Sequence, residues 1–242
     1  MLNYLFGEIY RLIHKKSMYL YFASLALGYV LLAYIRSGGF SENSIVNDAV
    51  NFFFYLPILV GGFLFSAIYT DDLVSKNLIS LVGFGLSKVK IIISKLILTT
   101  LFSGIIFALA PPLHIVVYGI FGSTAVANVW LMVYAISIKF WLMTVGFSAL
   151  CGIIVYGLQR TTFAFVTYIL LAFGIISGLI NTAFNAFAPF LKRFLLSGIT
   201  DGIMFGITNG SSIVWPIVEY MIYLVIAIVL SVLAFSKKEM EF

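Results

Sequence analysis

Six long apolar stretches, separated by short polar connections, constrain this chain more than any other feature of its sequence. A helix that crosses a lipid bilayer needs about 20 mostly apolar residues. Of the 242 residues, 62% are apolar and only 10% are charged, whereas a soluble domain carries about 25% charged residues. One water-soluble core of this size cannot bury so many apolar side chains. The sequence therefore excludes an ordinary soluble enzyme, and it predicts an all-α polytopic membrane protein with six spans.

The predicted spans share a length of about 20 residues or more and an almost uncharged interior. They are Met18–Ile35, Val50–Tyr69, Ile91–Phe121, Val129–Gly157, Phe163–Phe187 and Ile213–Phe235. No small-x-small cleavage site follows the first apolar run, which we interpret as a retained span and not as a signal peptide. Pro111 and Pro112 predict a kink in the third span, because each proline removes a backbone donor.

The distribution of basic residues predicts the orientation of the spans. If the N-terminus is cytoplasmic, ten of the 14 Lys and Arg residues lie in cytoplasmic segments, three lie outside and one lies within a span. Such a bias is typical of cytoplasmic loops. We therefore expect a multi-pass membrane protein with both termini in the cytoplasm. The sequence contains no polar segment in which basic and aromatic residues alternate on one face, so nucleic-acid binding is not expected.

Residues 1–17 predict an amphipathic helix that precedes the spans. Apolar residues recur there at helical spacing, and Glu8, Arg11, His14 and Lys15 fall on the other face. Such a helix is expected to lie on the inner leaflet with its basic side among the lipid headgroups. Two interpretations stay open, a simple membrane anchor and an elbow helix that also contacts a cytoplasmic partner.

The connection between the second and third spans, residues 70–90, is the most polar long segment of the chain. Asp71 and Asp72 suit a helix N-terminus, where the macrodipole favours anions, and Thr70 suits the N-cap. Apolar residues that include Leu78 follow at helical spacing, and Gly83 and Gly85 are expected to end the helix. By shape alone, this is either a short helix that transmits force from a soluble partner or a surface turn.

This segment resembles the second cytoplasmic loop of ABC-2 type transporter permeases. The resemblance rests on Asp72, Lys76-Asn77-Leu78-Ile79-Ser80, Gly85-Leu86-Ser87-Lys88 and Ser94-Lys95-Leu96. Lys76-Asn77 stands where Gly-Thr is usual in that family, and Lys88 stands where Arg is usual. The chain is most similar to the bacitracin and lantibiotic immunity permeases, which are short six-span chains with an N-terminal amphipathic helix.

The resemblance implies a protein of a bacterial plasma membrane in which residues 18–242 form one transmembrane domain and residues 70–90 dock on a separate ATPase subunit. The residues implied in coupling are Asp71, Asp72, Lys76, Leu78, Gly85, Ser87 and Lys88. Further implied partners are a second permease subunit, identical or a sister chain, together with membrane lipids and a peptide cargo. ATP and magnesium would be bound by the ATPase subunits.

Residues 185–212, between the fifth and sixth spans, contain apolar runs too short to cross a bilayer, interrupted by Lys192, Arg193 and Asp201. These runs predict short helices on the outer face that dip into the bilayer. Helices of this kind occur at the same place in ABC-2 permeases, where the resemblance implies that they close the outer end of the pathway.

Apart from Lys95, which lies in the first turns of the third span, three ionisable residues fall inside predicted spans, namely His114, Lys139 and Glu219. A charged side chain inside the hydrocarbon core is unfavourable by at least a few kcal/mol unless it is paired or hydrated. One interpretation is a polar lining of a transport pathway. The other is structural, either as a Lys139–Glu219 ion pair or as a Lys139 side chain that reaches the outer interface.

The sequence lacks the phosphate-binding pattern G-x-x-x-x-G-K-[ST] and the zinc pattern H-E-x-x-H. We therefore expect the chain to be no enzyme by itself and to carry neither cofactor nor metal. The expected function is the permease subunit of an ATP-driven exporter of antimicrobial or toxin peptides. Alternatives are an ABC-2 exporter of lipids or lipid-linked glycans, and a stand-alone channel or membrane scaffold.

Overall fold

All secondary structure in the described part of the chain is helical. The structure is a computed structural model, and it describes residues 2–36, 42–70, 81–83, 85–120, 127–187 and 189–237. The α-helices are α1 (Leu2–Ile13), α2 (Lys16–Arg36), α3 (Glu42–Leu56), α4 (Gly62–Phe65), α5 (Lys88–Ile120), α6 (Ala127–Leu158), α7 (Thr161–Ala172), α8 (Ile175–Phe187), α9 (Leu196–Asn209) and α10 (Val214–Lys237). Two π-helical segments, Pro57–Gly61 and Ser66–Thr70, flank α4, and a 3₁₀ helix covers Pro189–Phe194.

Within the described residues, four helical stretches are long and apolar enough to cross a membrane. They are Ile45–Thr70, Lys88–Ile120, Val129–Leu158 and Val214–Lys237. They match the second, third, fourth and sixth predicted spans, which confirms a multi-pass helical membrane protein. The pair α7 and α8 counts as a fifth span if the bent pair is taken as one. Helix α2 covers the first predicted span with 21 residues.

Helix α6 is the centre of the bundle. It packs against α3, α5, α7, α9 and α10. Buried residues along it include Val133, Phe140, Phe147, Cys151 and Tyr156. By contrast, α10 presents a largely exposed apolar surface, as expected of a helix with lipid on most of its sides.

The fifth predicted span is longer than a bilayer crossing requires, so a tilt, a kink or an interfacial extension is expected there, and the structure shows a bend. The chain bends by 59° between α7 and α8. Gly174 lies at the bend with a φ of +75°, and the Gly174 amide donates to the Leu171 carbonyl at 3.0 Å. Glycine adopts this left-handed conformation without the steric penalty of a Cβ, so the residue ends α7.

Helix α5 continues through Pro111 and Pro112. Proline 111 lacks the amide that would bond to the carbonyl four residues earlier, on Phe107. The hydroxyl of Ser137 on α6 donates to that carbonyl at 2.6 Å. A neighbouring hydroxyl thus satisfies the freed acceptor, which is how prolines are accommodated in spans.

Candidate functional site

The predicted coupling segment is described only in part. Asp71, Asp72, Lys76 and Leu78 lie outside the described residues. At its end, the Gly85 amide donates to the Val82 carbonyl at 3.0 Å and the Leu86 amide donates to the Leu81 carbonyl at 3.1 Å. With a φ of +82° at Gly85, this pair of bonds is a Schellman motif. A helical turn therefore ends at Gly85, as the sequence predicts.

Ser87 and Lys88 start α5 and fix its position. The Ser87 hydroxyl accepts from the Lys90 amide at 3.4 Å, in the N-cap arrangement. The Lys88 ammonium donates to the Phe235 carbonyl at 2.7 Å and lies 4.9 Å from the centre of the Phe235 ring. This carbonyl is among the last four of α10, which have no partner inside the helix. Lys88 therefore fastens the beginning of α5 to the end of α10.

We define the basal end of the bundle as the end that carries Ala67, Lys88 and Phe235. Helix α1 contacts this end through its charged side chains. The Glu8 carboxylate accepts from the Lys95 ammonium at 2.9 Å and from the Arg11 guanidinium at 2.8 Å. Arg11 also donates to the Ala67 carbonyl at 3.3 Å. Helix α1 therefore connects the end of the second span to the first turns of α5.

Two residues of the polar face of α1, Glu8 and Arg11, contact the bundle. Glu8 is 13% exposed, and its partner Lys95 is 1% exposed. Phe6 and Tyr10, each 65% exposed, face outward instead. The reason is electrostatic, since a buried lysine is strongly unfavourable unless it is paired. The sequence identifies Lys95 only as part of the segment that resembles the ABC-2 loop. Nothing in the neighbouring sequence predicts that its side chain is buried.

The pKa of Glu8 follows from these contacts. Burial opposes ionisation of the carboxyl, but the charge of Lys95 and the hydrogen bonds from Arg11 and Lys95 outweigh it, so the pKa of Glu8 is lowered from 4.5. The residue is therefore an anion at neutral pH.

The prediction that Lys139 pairs with Glu219 is wrong. Lys139 lies 2.5 Å from Asp201 of α9, and Glu219 lies 3.2 Å from Arg193 of the 3₁₀ helix. Both partners belong to the segment between the fifth and sixth predicted spans. Two ion pairs therefore join this segment to α6 and α10. Sequence spacing gave no way to choose between partners on different helices.

His114 lies at a buried junction of α2, α3 and α5, with no exposed surface. Its Nε2 is 3.0 Å from the Ile45 carbonyl, and its Nδ1 bonds to the Tyr29 hydroxyl. A carbonyl only accepts, so Nε2 donates, and in a neutral ring Nδ1 accepts from Tyr29. Both ring nitrogens therefore have a hydrogen-bond partner inside the bundle, and neither is left for a ligand.

Next to His114, the Tyr118 ring stacks on the imidazole with centroids 4.6 Å apart. Its hydroxyl donates to the Asp48 carboxylate at 2.6 Å. Sequence reasoning missed Asp48, because it lies before the apolar run on which the second span was placed. The helix in fact begins earlier, at Glu42, and brings Asp48 into the bundle.

An apolar cleft of about 330 Å³ opens between α5 and α6 near the middle of both helices. Its volume falls within the range typical of small-molecule pockets. The cleft is lined by Gly104, Phe107, Ala108, Tyr134, Ile138 and Trp141, together with Ser137.

Comparison with known proteins supplies no family for this chain. No protein-family model matches the sequence, and the search of curated proteins found no match.

Proposed function

We propose that the chain is the permease subunit of an ATP-driven exporter of the ABC-2 type. The observation that carries the proposal is the double attachment of the basal end. Ala67 is bonded to α1 just before the proposed coupling segment, residues 70–90, and Lys88, near the end of that segment, is bonded to α10. Force applied to residues 70–90 would act on both flanking spans, because each end of the segment is bonded to another helix.

In this proposal the bundle has six spans, with α2 first and the bent pair α7 and α8 fifth. Both termini and the basal end face the cytoplasm. The 3₁₀ helix and α9 lie at the outer end, where the ion pairs to Lys139 and Glu219 hold them against α6 and α10. Helix α9 has 14 residues, about 21 Å of helix, which is shorter than the hydrocarbon core.

The proposed cargo is an amphipathic antimicrobial or toxin peptide. Its apolar side chains match the apolar lining of the cleft between α5 and α6. Lipids or lipid-linked glycans share this apolar character and are the second candidate cargo. Transport of labelled bacitracin and of a labelled lipid into proteoliposomes would separate the two, since only the true cargo should move in an ATP-dependent way.

Orientation is tested with single cysteines in a Cys151→Ser background, because Cys151 is the only cysteine. An impermeant thiol reagent applied to intact cells should label Ser41→Cys and not Ser80→Cys. Labelling of Ser80→Cys in intact cells would reverse the topology and remove residues 71–87 from contact with an ATPase.

The partner is tested by purifying the tagged chain from its native membrane and identifying bound proteins by mass spectrometry. The proposal expects a stoichiometric subunit that carries the phosphate-binding pattern absent from this chain. A pure homo-oligomer, obtained under conditions that preserve other membrane complexes, would favour the rival function of a channel or scaffold.

A further inference from the structure

The second predicted span contains two π-helical segments, each of five residues. In a π-helix the hydrogen bonds join residues five apart in the chain, whereas in an α-helix they join residues four apart. A π turn therefore contains one residue more than the α turn that it replaces. π-helices account for well under 1% of residues in proteins and occur mostly as single turns at functional sites. Two of them in one span, separated only by Gly62–Phe65, indicate a specific cause.

Pro57 supplies part of that cause. An interior proline lacks an amide donor and clashes with the carbonyl four residues earlier, and widening the turn relieves both problems. Pro57 is the first residue of its π segment. Ser66–Thr70 contains no proline, so the second π segment must be maintained by its surroundings.

Three side chains from three other helices donate to carbonyls of these π segments. The Tyr168 hydroxyl of α7 lies 2.9 Å from the Pro57 carbonyl, and the Tyr21 hydroxyl of α2 lies 2.9 Å from the Leu59 carbonyl. The Arg11 guanidinium of α1 lies 3.3 Å from the Ala67 carbonyl. Side chains that insert at the carbonyls of a helix are a known cause of such distortion.

The closest of these contacts is built on Gly61. A Cβ at that position would lie 1.9 Å from the Tyr168 hydroxyl oxygen, so only glycine lets this tyrosine reach the backbone. Tyr168 itself is fully buried. Solvent therefore cannot reach its phenol, and the bond to the Pro57 carbonyl gives the hydroxyl proton an acceptor inside the bundle.

We propose that the second span has two backbone registers, the π register seen here and an α register, and that Tyr168 selects the π register. Converting one π segment to an α-helix moves every later residue of the span by one helical position. That movement is a rotation of about 100° and a rise of about 1.5 Å. Thr70, the last residue of the second π segment, directly precedes residue 71. The use of the rotation in coupling rests on the proposed function, but the existence of two registers does not.

The first test measures amide hydrogen exchange of the isolated chain in detergent, without ATP or a partner. Tyr168→Phe removes one hydroxyl and keeps the ring. We expect amides of residues 58–70 to exchange about two- to tenfold faster, because losing the Tyr168 bond raises the population of the α register by the free energy of one buried hydrogen bond, and each passage between registers breaks the helical hydrogen bonds of the span. Amides of α5 should stay unchanged. Unchanged exchange in residues 58–70, or a uniform increase over all spans, would overturn the proposal.

Tyr220→Phe is the matched control. The Tyr220 hydroxyl also donates to a backbone carbonyl at 2.9 Å, that of Leu142, which belongs to the α-helical α6. An α-helix has no second register to adopt, so this substitution should leave the exchange of α6 within the scatter of the measurement. An equal response in both variants would show a simple loss of a hydrogen bond and would contradict the two-register proposal.

The second test removes the extra residue. Deletion of Leu59, whose side chain is 37% exposed, should yield a folded, monodisperse chain locked in the α register at Pro57–Gly61. In that background, Tyr168→Phe should no longer accelerate exchange. Deletion of the exposed Ile105 in α5 is the control, because it rotates the rest of a regular helix and moves His114 away from Tyr29.

The Ile105 deletion is therefore expected to prevent folding. If deletion of Leu59 is equally damaging, the span has one register only. Because these experiments need no ATPase, their failure would leave the proposed function standing, and absence of an ATPase partner would leave the two registers standing.

Discussion

The Lys95 ammonium lies 2.9 Å from the Glu8 carboxylate, although 87 positions separate the two residues in the chain. This contact fastens the amphipathic helix α1 to the buried face of α5. The contact therefore gives the amphipathic helix a fixed attachment to the bundle.

Loss of the Glu8 charge is predicted to destabilise the chain strongly. Glu8→Gln removes the carboxylate that pairs with the buried Lys95 ammonium, and breaking one buried ion pair typically costs about 3–5 kcal/mol. The double variant Glu8→Gln, Lys95→Met should recover most of that loss. Thermal melts in detergent measure both effects, and additive destabilisation in the double variant would contradict the pairing.

Glu219→Gln serves as the control for that series. Its partner Arg193 is 65% exposed, and water can solvate the freed guanidinium. We therefore expect a change of at most about 1 kcal/mol. A loss as large as that of Glu8→Gln would show that the melts report a general effect of neutralising glutamates.

The same contact gives a pH dependence. The pKa of Glu8 is lowered below 4.5 in the folded chain, so the stabilisation by the Glu8 anion is fully present above about pH 4.5. It is lost as the pH falls through the lower, folded-state pKa. Melts between pH 3 and 7 should show this loss in the wild type, and Glu8→Gln should lack that component. Identical profiles would contradict the assignment.

The sequence was sufficient for the second, third, fourth and sixth spans and for local features, because these depend on residues close together in the chain. Apolar length predicts α5, α6 and α10, and the turn residues predict that a helical turn ends at Gly85. Long-range pairings were not predictable, since Lys139 had several candidate anions and the sequence does not say which helices touch.

Backbone irregularities in the fifth and second predicted spans were only partly predictable. The length of the fifth span predicts a tilt, a kink or an extension, but it does not say that the chain bends by 59° at Gly174. Pro57 is a local signal for the first π segment, whereas the donors from α1, α2 and α7 lie far away in the sequence.

Gly61→Ala is predicted to destabilise the bundle. The added methyl would lie 1.9 Å from the Tyr168 hydroxyl oxygen and 2.8 Å from the Thr144 methyl, and overpacking of this kind typically costs about 1–3 kcal/mol. Gly28→Ala in α2 is the matched control, because nothing lies within 4 Å of its added Cβ. It should be neutral or stabilising by up to about 1 kcal/mol. Equal melting points for the two variants would contradict the close approach of α7.

The ion pairs of α9 and the 3₁₀ helix predict a specific pattern of coupling. A double-mutant cycle of Lys139→Met with Asp201→Asn should give a favourable coupling of about 0.5–1 kcal/mol. The cycle of Lys139→Met with Glu219→Gln should give a coupling near zero, because those side chains belong to different pairs. Stronger coupling in the second cycle would contradict the partners assigned here.

The central claim is that residues 71–87 couple this chain to an ATPase. The most direct test compares the rate of ATP hydrolysis by the purified ATPase subunit alone with its rate in complex with the permease. We predict that the wild-type permease changes this rate and that the charge reversal Asp71→Lys with Asp72→Lys abolishes the change. The matched reversal Glu239→Lys with Glu241→Lys, at the C-terminus, should leave it intact. A reversed Asp71 and Asp72 variant that assembles and affects hydrolysis exactly as the wild type does would contradict the account.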